Sequence, residues 1–370
     1  MNRDTLKVNE GIESLPVYEP GKPIEEVARE IGIDEEEISK LASNENPLGP
    51  SPSAIAAMVA SAAKMHLYPD GGAYFLKHAI AKKFNLSCEE ILVTNGSNEA
   101  IELLAHVFLN RNTELITGDK AFVIYKYVGI LARATVKISP MPAFKYDLEN
   151  IAALITPATC LIFIANPNNP TGTMVSNAEI ASFMAKVPDE VLVCFDEAYA
   201  ELLEDNKQPS AVSYVKSRKN VVVLRTFSKT YGLAGLRIGY IIGSQRVISL
   251  LNKVRQPFNV NAMALAAAEA ALNDENFVIK TRRLVEDGLK YLENSFKRLN
   301  LEYVPSSANF ILVKVGDGRR VFEKMLRKGI IVRPMDGYGL PEYIRVTVGK
   351  TEENRKFVEL LTDVLKQYSH

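Results

Sequence analysis

The chain has 370 residues, with 44 basic and 44 acidic side chains and a formal net charge of zero, so nothing supports a nucleic-acid binder, which carries a basic surplus. Hydrophobic residues at 47% and charged residues at 24% describe an ordinary soluble protein of about two domains, and no apolar run reaches the roughly 18 residues of a membrane span. Cys88, Cys160 and Cys194 form no CxxC pair and the N-terminus lacks an apolar signal core, which argues against disulfides, structural zinc or secretion and fits a reducing cytoplasm.

In chain order, residues 1–50 read as irregular, with one short helix in "PIEEVAREIG" (23–32) and a proline- and asparagine-rich loop in "LASNENPLGPSP" (41–52). Short apolar runs then alternate with helical patterns. The expected strands are 91–94, 114–117, 135–138, 160–165, 191–196, 221–226 and 238–243, and the expected helices include 98–110 and 177–187. Continuous apolar strands between helices predict a mostly parallel sheet covered on both faces. A long helical region, about 246–299, leads out of this unit. Strand and helix patterns at 309–315, 320–329, 330–334 and 343–349 predict a smaller α+β domain.

Ligands of such sheets gather at the carboxyl ends of the strands. "NGSNEAIE" (95–102) is a glycine turn opening a helix, either a phosphate-binding helix start or a plain turn capped by Ser97. "NPNNPTG" (166–172) is a restricted loop. "DEAY" (196–199) puts Asp196 at a strand end, as a helix cap or a functional acid. "SKTYGLAGLRIG" (228–239) puts Lys229 at another strand end, between Ser228 and a glycine-bordered turn, with Arg237 eight residues on. Neither GxxxxGK[ST] nor GxGxxG is present. Pyridoxal phosphate fits the set. Its aldehyde needs a lysine amine, its ring nitrogen a carboxylate, and its phosphate N–H groups, hydroxyls and a cation.

These four motifs, in this order, resemble the fold-type I aminotransferases of the aspartate-aminotransferase superfamily. With "LPVYEPGK" (15–22), "LASNENPLGPSP", "YPDGGAYFLKHAIAKKF" (68–84) and "RVTVG" (345–349), the chain is similar to the histidinol-phosphate aminotransferases. The resemblance implies an α/β fold-type I PLP-dependent transferase. It would have an N-terminal arm (1–50) completing the small domain and active site, a large PLP-binding domain (51–275) and a small C-terminal domain (276–370). It implies transamination between histidinol phosphate and 2-oxoglutarate, giving glutamate, by a cytoplasmic homodimer.

Carried onto this sequence, Lys229 is the lysine that bonds the cofactor and moves the proton, and Asp196 the acid facing the ring nitrogen. Tyr199 and Asn169 meet the phenolic oxygen, and Phe122 stacks on the ring. Gly96, Ser97, Asn98, Ser228 and Arg237 surround the phosphate, together with Tyr68 from the partner subunit. Arg345 takes the α-carboxylate of the amino-acid partner, a bidentate task suited to arginine. Arg333, Tyr18 and Asn44 complete the substrate site, with Arg333 and Tyr18 on the distal phosphate. The four histidines fall on none of the four strand-end motifs and are given no catalytic role. The same scaffold also serves aromatic amino-acid aminotransferases and threonine-phosphate decarboxylases.

Overall fold

The computed structural model describes residues 7–13, 15–17, 19, 21–204 and 210–367. Among the described residues thirteen strands follow the chain: β1 (Ser39–Lys40), β2 (Ile91–Thr94), β3 (Glu114–Gly118), β4 (Thr135–Ser139), β5 (Thr159–Ala165), β6 (Leu192–Asp196), β7 (Val221–Thr226), β8 (Gly239–Gly243), β9 (Tyr303–Val304), β10 (Phe310–Lys314), β11 (Ile330–Ile331), β12 (Arg333–Pro334) and β13 (Tyr343–Thr347).

Seven strands form the central sheet in the order β2-β8-β7-β6-β5-β3-β4. All neighbours run parallel except β8, which is antiparallel to β7 and to β2. Every residue of β6 and β7 is buried. That explains why apolar residues dominate both, Asp196, Arg225 and Thr226 apart: helices cover both faces, so neither face needs polar alternation. Helices Gly96–Phe108, Ile124–Leu131, Asn177–Met184 and Gln245–Val254 each contribute buried residues to this core. Helices Pro52–Ala62 and Ala262–Leu272 pack against each other, and their alanine-rich sequences permit the close approach. No helix among the described residues is long and apolar enough to cross a membrane.

The expected helical region 246–299 consists of the helices Gln245–Val254, Ala262–Leu272 and Glu275–Arg298. Asn261 and Asp274 accept hydrogen bonds from the backbone N–H groups of Ala264 and Phe277, starting Ala262–Leu272 and Glu275–Arg298. A second core gathers Leu41 with residues from Leu292 to Val364 around a four-stranded sheet of order β12-β13-β10-β9. The run 330–334 divides. β11 pairs in parallel with β1, and β12 pairs antiparallel with β13. Through β1 the N-terminal segment is thus hydrogen-bonded to the C-terminal part of the chain.

One charge cluster is buried beside the sheet's carboxyl end. Arg225 of β7 donates to Glu197 at 2.5 Å and to Glu201 at 2.9 Å, and all three side chains are 5% exposed or less. Glu197 also accepts from the Ala211 N–H at 2.6 Å. Removing one member of such a group strands the others without solvent, at a cost of about 3–5 kcal/mol. Arg225→Met should therefore lower stability by that order, read from the urea midpoint. A loss below about 1 kcal/mol would mean that water reaches the two carboxylates.

Candidate active site

Beyond the carboxyl ends of β5, β6 and β7 lies a cavity of about 380 Å³. Its wall is completed by the start of helix Gly96–Phe108, by residues 42–45, and by Arg333 and Arg345 from β12 and β13. Loop 41–52 reaches this position by lying directly on the turn after Lys229. Gly232 there has φ +70°, and a Cβ would stand 2.0 Å from the Gly49 carbonyl oxygen, so only glycine fits.

Asp196 ends β6 and is 5% exposed. Its carboxylate accepts from the Tyr125 hydroxyl at 2.7 Å and from the Ala198 N–H at 3.2 Å. It caps no helix. Burial pushes its pKa up to about 6, and these two donors oppose the rise. Lys229 donates to the Ser43 carbonyl at 3.1 Å. Burial brings its pKa down to about 8, and the guanidinium groups of Arg345 and Arg237 act in the same direction. The amine is thus partly neutral near physiological pH, as a nucleophile or proton carrier requires.

Tyr199 is buried, its pKa pushed up to about 12 by desolvation, and its hydroxyl accepts from Asn44 Nδ2 at 3.0 Å. Asn169 accepts from Arg345 at 2.5 Å, and Arg345 also donates to the Ala42 carbonyl at 2.7 Å. The Arg345 guanidinium lies 5.1 Å from the centre of the Phe310 ring, a cation–π distance. Arg333 and Arg345 face each other in register across the β12–β13 pair. Two positive side chains at one rim of a cavity suit anionic ligand groups.

Ser97 and Asn98 lie in the first turn of helix Gly96–Phe108, and they line the cavity together with Ser228 and Arg237. The helix begins at Gly96, so Ser97 is inside the first turn and is not the cap. Gly96 has φ +77°, and a Cβ there would stand 2.8 Å from an Arg237 terminal nitrogen. The glycine lets the guanidinium close on the helix start, and together they make a cradle for a phosphate.

Of the residues expected from sequence, Lys229, Asp196, Tyr199, Phe122, Asn169, Ser97, Asn98, Ser228, Arg237, Arg345, Arg333 and Asn44 all line this one cavity. Gly96 sits behind Arg237. Tyr68 lies outside the cavity of its own chain, 82% exposed, its ring stacked on Phe258 at 4.7 Å. Tyr18 falls outside the described residues. Sequence reasoning missed Tyr125, Glu45, Thr226 and Tyr338, which also line the cavity. Tyr125 lies in the first turn of helix Ile124–Leu131, and its ring meets that of Phe122, which precedes the helix, edge-on at 5.7 Å.

The donor set fits pyridoxal phosphate. A half-buried amine of lowered pKa, a buried carboxylate, an aromatic wall and a glycine-opened phosphate cradle converge on one cavity. With the sheet behind them, they define a PLP-dependent transferase of fold type I. The family model for aminotransferase class I and II matches residues 36–361, and the chain belongs to that family. It is a PLP-dependent aminotransferase. A histidinol-phosphate aminotransferase of Akkermansia muciniphila is 48% identical over 96% of this chain and 98% of its own length. One of Moorella thermoacetica is 45% identical over 97% and 93%. The solved structure of histidinol-phosphate aminotransferase from Sinorhizobium meliloti, in complex with pyridoxal-5'-phosphate, superposes with a TM-score of 0.88. It is 25% identical, with 98% of both chains covered.

The lowered Lys229 pKa has a measurable consequence. An amine reacts only when neutral, so its reactivity rises through its pKa and is lost as pH falls below it. Competitive acylation of the cofactor-free protein, quantified by mass spectrometry, should give Lys229 a midpoint near pH 8. A midpoint near the roughly 10.4 of a free lysine would show that the amine is solvated.

Proposed function

We propose that this chain transfers the amino group of histidinol phosphate to 2-oxoglutarate, forming glutamate, as a homodimer in the cytoplasm. The observation that carries the reading is the in-register pair Arg333 and Arg345, which line the cavity in addition to the Arg237 cradle. The cradle serves the cofactor's phosphate and the pair serves a second anion, a substrate phosphate or carboxylate. The names of the relatives at 43–48% identity support the same substrate.

In this reading PLP, when bound, supplies the aldehyde and the electron-withdrawing ring. Lys229 holds the cofactor, then carries a proton between the substrate's Cα and the cofactor's C4′. Asp196 keeps the ring nitrogen protonated, and the ring cation in turn favours the carboxylate over the neutral acid. Tyr199 and Asn169 meet the phenolic oxygen, and Phe122 covers a ring face. Ser97, Asn98, Ser228 and Arg237 hold the phosphate, with Gly96 giving Arg237 room. Residues 1–50 act as an arm closing the site between a large unit, 51–275, and a small one, 276–370, and Tyr18 belongs to that arm. The direct test is incubation with histidinol phosphate and 2-oxoglutarate, following glutamate. Turnover of phenylalanine or tyrosine in preference, or release of carbon dioxide from threonine phosphate, would refute the assignment.

The two arginines should divide the work. Hydrogen bonds to charged groups contribute about 1.5–3 kcal/mol, so each loss should slow one half-reaction roughly ten- to hundredfold. Arg345→Ala should damage the glutamate half-reaction more, and Arg333→Ala the histidinol-phosphate half-reaction, read from single-turnover absorbance changes. Equal losses on both substrates would reduce both arginines to structural roles.

Tyr68 is exposed on its own chain and is assigned to the partner's phosphate site. Mixing Tyr68→Ala chains with Lys229→Ala chains should restore activity, because each hybrid dimer keeps one intact site. Hybrids that form but remain inactive would place Tyr68 in its own chain's site.

A further inference from the structure

Asn44 holds a backbone conformation that most side chains avoid. Its φ is 55°, in the left-handed region where asparagine is tolerated but glycine is the default. It is also 2% exposed. Glycine would relieve the conformation, so the side chain has a reason to be there.

Its groups are fully engaged. The Asn44 N–H donates to Thr347 Oγ1 at 2.9 Å, and Thr347 Oγ1 donates to Asn44 Oδ1 at 3.1 Å. Asn309 donates to the Asn44 carbonyl at 3.0 Å. The remaining amide nitrogen donates to the Tyr199 hydroxyl oxygen at 3.0 Å. Thr347 decides the direction of that last bond. Its oxygen already accepts the Asn44 N–H, and its single hydrogen has Asn44 Oδ1 as acceptor. Turning the amide over would bring an N–H against Thr347 and leave the buried hydroxyl hydrogen without that acceptor. With the amide locked this way, Tyr199 receives a hydrogen from Asn44 and must point its own elsewhere.

We propose that Asn44 is a positioning residue. It sets the polarity of the Tyr199 hydroxyl, keeping its hydrogen available to the phenolic oxygen of bound PLP, and Thr347 locks the amide that does so. The task differs from the substrate contact expected of Asn44 from sequence, and it rests on the assignment of Tyr199 to that oxygen. A hydrogen donated to the phenolic oxygen stabilises its anion. The proton shared between that oxygen and the neighbouring Lys229 nitrogen then leaves at lower pH. Losing the donor raises the midpoint.

The test is a pH titration of the holoenzyme's visible absorbance, which a merely structural role would not move. Tyr199→Phe should raise the midpoint by about one pH unit. Asn44→Asp, which tolerates the same φ, presents only acceptors to Tyr199 when ionised, draws its hydrogen away, and should raise the midpoint by a similar amount. Thr347→Val unlocks the amide without adding charge and should shift the midpoint the same way, while Thr347→Ser restores the original value. In a Tyr199→Phe background, Asn44→Asp should add little. If its shift persists undiminished there, the new charge is the cause and the proposal is overturned. It is overturned equally if Tyr199→Phe shifts the midpoint but Asn44→Asp and Thr347→Val do not. If Tyr199→Phe itself leaves the midpoint unchanged, the assignment of Tyr199 fails first. Should Asn44→Asp not fold, the Thr347→Val and Thr347→Ser pair decides alone: a valine shift that serine abolishes supports the proposal, and a valine midpoint at the original value overturns it.

Discussion

The site depends on keeping an amine and a carboxylate out of water at the ends of neighbouring strands. Burial penalises the charged form of each, so the Lys229 pKa falls to about 8 while that of Asp196 rises to about 6. The surrounding groups limit the rise of the one and add to the fall of the other. Tyr125 and the Ala198 N–H donate to Asp196 and keep it acidic enough to serve as a counter-ion. Arg237 and Arg345 keep Lys229 from holding its proton too firmly. Directly after Asp196, Glu197 is a like charge that would raise its pKa further. Arg225 pairs with that glutamate and so shields the acid from its own sequence neighbour.

The scaffold supplies these positions with little local strain. Parallel strands β5, β6 and β7 deliver their following residues to one edge, which brings Asn169, Asp196 and Lys229 together. What closes the cavity is less regular. Loop 41–52 lies on Gly232 and is held to Thr347 and Asn309 by side-chain hydrogen bonds. The second core then presents its two arginines from an antiparallel pair whose register sets them side by side.

The strands and their terminal residues were legible because buried parallel strands have mainly apolar sequences that stop abruptly. Lys229 and Asp196 stood out as charges at those stops. Other features had no such contrast. Tyr125 is fully buried in an apolar helix and looks like core until its hydroxyl is seen on Asp196. Arg225 sits inside a strand whose other residues are mostly valine and leucine, and its two partners follow β6, more than twenty residues earlier. The run 330–334 reads as one strand, but its two halves pair with partners more than three hundred residues apart in sequence, Ser39–Lys40 and Tyr343–Thr347. Nor does any sequence pattern reveal a positive φ at Asn44, because asparagine is common in loops of every conformation.

The bond from Asn44 to Thr347 joins residues 303 positions apart. Bringing such distant segments together carries a loop-closure penalty that only the finished fold repays. Lys229 owes part of its lowered proton affinity to Arg345, which is synthesised more than a hundred residues later. On the ribosome, the growing chain therefore carries Lys229 without that contribution until Arg345 has been added. The amine gains its full readiness to attack aldehydes when the last strands have docked, so the unfinished protein is less reactive toward stray carbonyl compounds than the finished one.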